Sequence, residues 1–269
     1  MIDQREIDLL RLLIQSHTGI EQTALIKHVG GDAAVFQTLI EALERDGYRF
    51  EKTGQRVRLL PEPDAVRPRS IGARLTTDTI GREIYVFKET TSTNDLARRA
   101  GTGKGAEGVV FFAEQQTAGR GTRGRNWVSR PNQGLWFSIL LRSNLPVDQW
   151  PALVKMAALA SAEAAEQWAK APVGIKPPND LVLAGGKLAG FLLETSNAWN
   201  FQVLGIGINV RSAPQIEGYR TSALDDFSRR RVPLTELAAE ILNRFEEWYL
   251  RRPIESMASA FEARVKRTV

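Results

Sequence analysis

The stretch GRGTRGRNW, Gly119 to Trp127, constrains the fold of this chain more than any other. Its glycines satisfy both the dinucleotide-binding pattern G-x-G-x-x-G and the opening of a P-loop, with Arg125-Asn126 in place of Lys-Ser or Lys-Thr. Either reading requires a strand before the glycines and a helix after them. A strand is predicted at GVVFFA, Gly108 to Ala113, yet a polar Glu-Gln-Gln-Thr spacer separates it from the loop. The helix is missing, because RNWVSRPNQG carries Pro131, Asn132 and Gly134, which break a helical pattern. Doubly wound dinucleotide folds and P-loop folds are therefore disfavoured, and the arginines set among these glycines need another purpose.

The residue inventory limits that purpose. The chain has no cysteine and two histidines, His17 and His28, both near its start. Disulfides, thiolate nucleophiles and cysteine-based zinc sites are excluded. Beyond residue 28, so are Ser-His-Asp and Cys-His catalysis and a histidine general base. An enzyme built from the rest must use carboxylates, amides, Lys, Arg and backbone dipoles, which suit reactions governed by positioning and charge stabilisation, phosphoryl and nucleotidyl transfer among them. No metal site is predicted. The opening MIDQREIDLLRLLIQ is acidic with helical apolar spacing, unlike a secretory leader, and no run approaches ~18 apolar residues. A cytoplasmic chain with no membrane partner is expected.

At 269 residues and 43% hydrophobic content, one sizeable core and a small second domain are affordable. Residues 1–62 read as three short amphipathic helices, with Leu9, Leu10 and Leu13 on one face of the first and Leu39, Ile40 and Leu43 on one face of the third. Two alternating runs around Thr53-Gly54 follow. That order predicts a winged helix-turn-helix domain. PEPDAVRP, from Pro61, opens a linker placed at 63–80, and the larger domain spans 81–269. There, strands are predicted at 83–88, 108–113, 135–142, 181–183, 187–195 and 201–208, with a hairpin turn at Ala184-Gly185-Gly186. Helices are predicted at 92–100, capped by Ser92-Thr93-Asn94-Asp95, and at 149–170, 234–250 and 255–266.

Four further segments are polar where folding alone would not need it: TSTN at 91–94, KPPND at 176–180, GKLAG at 186–190 and GIGIN at 205–209. Singly they read as a helix cap, a turn, a solvated hairpin lysine and a strand end. In this order, with QTAGRGTRGRNW at 116–127, they resemble the biotin-protein ligases, whose pattern runs STN, QxAGRGRxGRxW, KWPND, GxKxxGxLxE and GxGINV; this chain carries GGKLAGFLLE at 185–194 and GIGINV at 205–210. The resemblance covers about residues 83–267 and extends to the bifunctional ligase-repressor type in the N-terminal helices. The loop separates the chain from lipoate ligases.

The resemblance implies an α+β fold, a winged helix-turn-helix followed by a mixed-sheet, class II synthetase-like ligase domain. It implies that biotin and Mg-ATP give biotinyl-5′-adenylate and that a lysine of a biotin carboxyl carrier protein then takes the acyl group. It places Ser92, Thr93, Asn94 and Gln116 on the biotin head and Gly119, Arg120 and Gly121 on the carboxylate and phosphate. Gly190 gives biotin room. Lys176, on the carbonyl and α-phosphate oxygens, and Arg120 are the expected catalytic groups. Arg123, Arg125, Trp127, Asn179, Asp180, Lys187 and Asn209 are the remaining nucleotide contacts, with Trp127 on the adenine.

Three departures stand out. Thr122 replaces a basic residue of the family loop, Pro177 replaces the tryptophan after the lysine, and no C-terminal β-barrel of the family's kind is expected after the last helix. Two other functions remain open: a biotin-responsive DNA-binding regulator and a catalytically silent biotinyl-nucleotide binding protein. The net charge of +5 does not favour the regulator, because residues 1–62 carry eight Lys and Arg against ten Asp and Glu. The expected recognition helix offers Arg45 against Asp32, Glu41 and Glu44, poor material for phosphate contacts, so DNA binding is doubtful. A homodimer is compatible with the resemblance.

Overall fold

The computed structural model of the chain describes residues 3–103, 105–198 and 200–266. Residues 1–2 and 267–269, the outer ends of the two expected domains, lie outside the described residues. The fold comprises two compact units, Met1–Arg74 and Leu75–Val269.

In the first unit, helix α1 (Gln4–Gln15) starts at Asp3, whose carboxylate accepts the Arg5 N–H. Strand β1 (Ile20–Glu21) leads into α2 (Gln22–Val29), which ends on Gly30 in the left-handed conformation. Helix α3 (Ala33–Arg45) is capped by Asp32, accepting from Ala34 and Val35. Strands β2 (Phe50–Thr53) and β3 (Arg56–Leu59) form the expected hairpin, and β1 adds to it in the order β1-β3-β2. Leu9, Leu13, Leu25, Phe36, Leu43 and Val57 anchor the core. The linker expectation is corrected: 63–80 contains helix α4 (Pro68–Arg74), packed on α1, with Ser70 hydrogen-bonded to Tyr48 at 2.8 Å. Pro68 at the first helical position needs no N–H partner and favours the helix.

The second unit opens with β4 (Ile84–Thr90), α5 (Thr93–Thr102), β5 (Val110–Gln116) and β6 (Gly134–Leu141). It continues with α6 (Pro151–Glu166), β7 (Val173–Lys176), β8 (Asp180–Leu183), β9 (Gly186–Ser196) and β10 (Phe201–Asn209). Helices α7 (Leu234–Glu246) and α8 (Ile254–Val265) follow. The seven strands form one sheet in the order β4-β5-β6-β10-β9-β8-β7, and β4 and β5 pair in parallel while every other neighbour is antiparallel. This is the mixed sheet expected of an α+β ligase domain. Helix α5 packs on β5, β6 and β10 over Ala97, Val109, Phe111, Leu140, Phe201 and Val203. Alanine-rich α6 runs along β7 to β10 and against α7, with Ala157, Ala160 and Ala164 wholly buried.

Three sequence expectations shift. The Glu-Gln-Gln spacer is strand, because Gln115 and Gln116 continue the pairing with Glu89 and Thr90 of β4. Strand β7 has no counterpart among the predicted strands; it is short and borders Pro177-Pro178, and only its ladder with β8 makes it a strand. The last turn of the 234–250 helix widens into a π-helical turn over Glu247–Arg251. The predicted hairpin between β8 and β9 is present, its turn made by Ala184 and Gly185 with φ of 50° and 78°, the two-residue geometry that suits the strand twist. Among the described residues no helix is long and apolar enough to cross a membrane.

Candidate active site

Side chains on a strand alternate between faces, so Phe201, Val203, Gly205, Gly207 and Asn209 share one face of β10. Phe201 and Val203 fill the core under α5. The two glycines then remove side chains from the sheet, and Asn209 closes the row with an amide. The space they leave opens into a cavity of about 350 Å³.

Gly205 admits Asn94: a Cβ there would lie 2.3 Å from the Asn94 Oδ1. Gly207 lies opposite Gly190 across the β10–β9 ladder. On this side-chain-free floor rests the Trp127 indole, 2.5 Å from where a Gly207 Cβ would stand and 3.0 Å from that of Gly190. Gly190, expected to make room for biotin, here makes room for Trp127. Trp136 meets the indole edge-on with ring centroids 6.2 Å apart, and the Lys187 ammonium lies 5.4 Å from its centroid.

The neutral end of the cavity is organised around the N-terminus of α5. Ser92 caps the helix, accepting the Asn94 N–H at 3.3 Å. Gln116, brought alongside by β5, accepts the Thr93 N–H at 2.8 Å and donates to the Ser129 hydroxyl at 2.7 Å. Ser138 of β6 bonds Thr93 Oγ1 at 2.7 Å and donates to Asn94 Oδ1 at 2.6 Å. The Asn94 amide nitrogen donates to Glu194 of β9 at 3.0 Å.

The charged end is the glycine-arginine loop, zipped at its base. Trp127 N–H bonds Gly119 O at 2.9 Å, and Gly121 N–H bonds Arg125 O at 2.7 Å. A Cβ on Gly119 would lie 2.4 Å from the Trp127 carbonyl oxygen, so that position needs glycine. Arg123 and Gly124 turn the tip with φ of 58° and 71°, the left-handed region. Arg125 folds back on Thr122, its Nη2 donating to Oγ1 at 3.0 Å. Arg120 clasps Asp95 at 3.1 and 2.9 Å and reaches Glu194 at 3.4 Å. The Arg120 guanidinium holds the Asp95 carboxyl below the usual carboxylate range, and the hydrogen bond from Arg120 to Asp95 in turn raises the guanidinium further.

Of the residues expected at the site, Ser92, Thr93, Asn94, Gln116, Arg120, Gly121, Arg125, Trp127, Asn179, Lys187, Gly190 and Asn209 line this cavity. Gly119, Arg123, Lys176 and Asp180 do not. Gly119 is spent on the loop's base and Arg123 on its tip. Asp180 is buried against Lys187, 2.7 Å away. Lys176 is exposed at the end of the outermost strand, β7, its ammonium 5.7 Å from the ring centroid of Tyr219, which does line the cavity. Asn179 donates to the Phe191 carbonyl oxygen at 2.7 Å and Asn209 to that of Lys187 at 3.3 Å. Asn209 Oδ1 and Trp127 Nε1 are buried with no hydrogen-bond partner among the described residues. Both atoms are closed off from solvent, and the indole nitrogen lies against the floor, 2.5 Å from where a Gly207 Cβ would stand.

The sequence reading named Asp95 only as a capping residue and Glu194 only as the end of a motif, and it missed Ser138 and the cavity wall made by Pro214, Ile216 and Tyr219. Ser138 carried a signal, a lone hydroxyl inside GLWFSILL. Ile216 and Tyr219 are large apolar side chains in a loop, 48% and 41% exposed. Among the described residues no group of three or more His, Cys, Asp or Glu could hold a metal ion.

The motifs of this mixed sheet converge on one cavity, and residues 86–210 match the biotin/lipoate A/B protein ligase family. The chain is 35% identical over 220 residues to the biotin–[acetyl-CoA-carboxylase] ligase of Mycobacterium tuberculosis, covering 76% of this chain and 81% of that one. It is 31% identical over 205 residues to the bifunctional ligase/repressor BirA of Bacillus subtilis, covering 75% of this chain but 60% of that relative. Among solved structures it is similar to the biotin protein ligase of Leishmania major in complex with biotinyl-5-AMP, with TM-score 0.62, 27% identity and 70% and 83% of the two chains covered. The Aquifex aeolicus biotin protein ligase in complex with biotin and ATP matches with TM-score 0.59, 27% identity and 68% and 78% coverage. The chain belongs to the biotin/lipoate A/B protein ligase family, among its biotin protein ligases.

Proposed function

We propose that the chain activates biotin with ATP and transfers it to a lysine of a carrier protein. The observation that carries this reading is the meeting, in one cavity, of a neutral hydrogen-bonding end at Ser92, Thr93 and Gln116 with an arginine-glycine loop and the Trp127 indole on its glycine floor. The ureido ring of biotin meets the neutral end. Its carboxylate oxygen attacks the α-phosphorus of ATP, the bond to the bridging oxygen breaks, and pyrophosphate leaves. The lysine amine of the carrier then attacks the acyl carbon, AMP leaves with the bonding pair, and the amine's proton passes to solvent. Neither step needs a protein nucleophile.

Arg120 and Arg125 border the cavity and offset charge as it builds on the phosphate oxygens. Trp127 and Asn209 receive the nucleotide. Lys176 reaches the cavity by swinging off the face of Tyr219, its long stem allowing the move. Asp95 and Glu194 are engaged by Arg120, and Asp180 by Lys187. Magnesium accompanying ATP would supply charge neutralisation at the phosphates, beside Arg120 and Arg125. The proposed compartment is the cytoplasm, the proposed acceptor a biotin carboxyl carrier domain, and the helical first unit a winged helix-turn-helix that does not serve DNA. The assembly proposed is a homodimer.

Biotin, Mg-ATP and a carrier domain are incubated with the protein, pyrophosphate is followed with time, and the carrier is weighed by intact mass spectrometry. Biotin-dependent pyrophosphate release and a one-biotin increment on the carrier are expected. Lys176→Ala lowers the rate by about 10² to 10³. Pyrophosphate release without the mass increment favours a silent adenylate-binding protein, and no biotin-dependent release refutes the ligase.

A further inference from the structure

We infer that Glu194 is a positioning residue that couples the two ends of the cavity, orienting the Asn94 amide with one carboxylate oxygen and anchoring Arg120 with the other. The inference rests on the ligase reading above. Glu194 pairs with Val203 across the β9–β10 ladder, on the face that carries Gly190 and Leu192, and it stands behind the cavity instead of lining it. Its Oε2 accepts from Asn94 Nδ2 at 3.0 Å and its Oε1 from Arg120 Nη2 at 3.4 Å.

The consequences follow from counting protons. A carboxylate only accepts, so Asn94 must turn its nitrogen towards Glu194 and its oxygen away. That oxygen takes the single hydroxyl proton of Ser138, at 2.6 Å. Ser138 can then only accept from Thr93 Oγ1, 2.7 Å away, and the Thr93 hydroxyl has a second acceptor within reach, Gln116 Oε1 at 3.2 Å. Thr93 N–H occupies Gln116 Oε1 at 2.8 Å, which leaves Gln116 Nε2 facing Ser129. One negative charge thus sets the orientation of the Asn94 amide and of the Ser138 hydroxyl that meets it, and the Thr93 N–H sets that of Gln116, so the wall from β9 to the neutral end of the cavity has a fixed polarity. A ligand group with fixed donors and acceptors, such as a cyclic urea, is bound only where the wall's polarity is fixed in the matching sense. The same charge holds Arg120, so the loop is docked on the residue that orients the neutral end. Glutamine at 194 separates the two duties: its Oε1 still accepts from Asn94, while its amide N–H₂ replaces the oxygen that faced Arg120.

The Glu194 side chain is 30% exposed, so both replacements are tolerable for folding. Wild type, Glu194→Gln and Glu194→Ala are titrated with biotin by isothermal calorimetry, biotin-dependent pyrophosphate release is timed, and thermal melts are recorded. Glu194→Ala is expected to weaken biotin about tenfold, the loss of one charge-assisted hydrogen bond at a decade per ~1.4 kcal/mol. Glu194→Gln is expected to bind biotin within about threefold of wild type yet release pyrophosphate about tenfold more slowly at saturation, because Arg120 keeps only Asp95. Unchanged biotin affinity in Glu194→Ala overturns the inference. So does a parallel fall in affinity, rate and Tm in both variants, the mark of a merely structural role. A wild-type protein that binds no biotin refutes the ligase reading, and this inference with it.

Discussion

Replacing Gly207 with alanine is expected to damage the nucleotide end of the cavity selectively. The added Cβ would stand 2.5 Å from Cε2 and Nε1 of Trp127 and 2.8 Å from Cζ2. Ordinary carbon contacts are about 3.5 to 4.0 Å, so the indole must retreat by about 1 Å or more. It has little room to do so. Its backbone is held by the N–H bond to Gly119 at 2.9 Å, its edge meets Trp136, and Lys187 covers its face. Overpacking of this kind costs about 1 to 3 kcal/mol. If the ligand-binding geometry takes most of it, ATP-side affinity falls about fivefold to a hundredfold at a decade per ~1.4 kcal/mol. Biotin affinity moves by less than about threefold, since Gln116 and Thr93 are braced by Ser129 and Ser138 and not by the indole. Calorimetric titration of biotin alone, and then of a non-hydrolysable ATP analogue, separates the two. Gly205→Ala is the internal control: its Cβ would stand 2.3 Å from Asn94 Oδ1, so biotin should be the ligand that suffers. Equal losses on both ligands in both variants would refute the division of the cavity into two ends. Unchanged ATP-side affinity in Gly207→Ala would show that the indole is not fixed on its glycine floor.

Four further outcomes are expected. Glu246 is 1% exposed and accepts the N–H groups of Asp78, Thr79 and Ile80 at 2.6 to 2.8 Å. Glu246→Ala should cost about 3 to 5 kcal/mol in urea unfolding, and a loss below about 1 kcal/mol would contradict the role of that carboxylate in holding the loop. Thr122→Arg adds a guanidinium to the glycine-arginine loop and should slow release of biotinyl-adenylate about tenfold in stopped flow, one charge-assisted bond, with biotin affinity little changed; equal release rates would show that the loop tip does not contact the phosphate. Asp95 titrates below the usual carboxylate range because Arg120 is hydrogen-bonded to it. A depressed folded-state pKa gives stability that is present above the unfolded value of about 3.9 and is lost as pH falls through the folded one. Carbon-13 NMR should therefore show Asp95 charged throughout neutral pH and its titration moving upward in Arg120→Gln. Helix α3 exposes Gln37, Thr38, Glu41 and Glu44, and the β3 residues Arg56 and Arg58 are paired with Glu21 and Glu51. Fluorescence anisotropy with promoter DNA should find no complex tighter than about 10⁻⁸ M, the specific range, and finding one would reinstate the regulator.

The sequence by itself determined what depends on neighbours along the chain. The Ser92 cap, the Ala184-Gly185 turn and the lack of a helix after Gly124 follow from φ preferences and capping side chains within a few residues, and each is present. The shortage of histidine and cysteine restricted the chemistry without any coordinates. The resemblance of the motifs named the set of residues, most of which share the cavity. What the chain could not reveal is which partner each residue meets. Asn94 and Glu194 are 100 residues apart in sequence, and only the ladder of β9 and β10 together with the packing of α5 on β10 places them 3.0 Å apart. The role of Gly190 as a floor for Trp127, the sharing of Arg120 between Asp95 and Glu194, and the position of Lys176 outside the cavity are of the same kind. The strand β7 and the helix α4 are too, since each is made regular by packing and pairing rather than by propensity. Local conformation is set by short-range sterics, which the sequence states directly. Charge pairing and side-chain room are set by strand register, and register exists only once the sheet has formed.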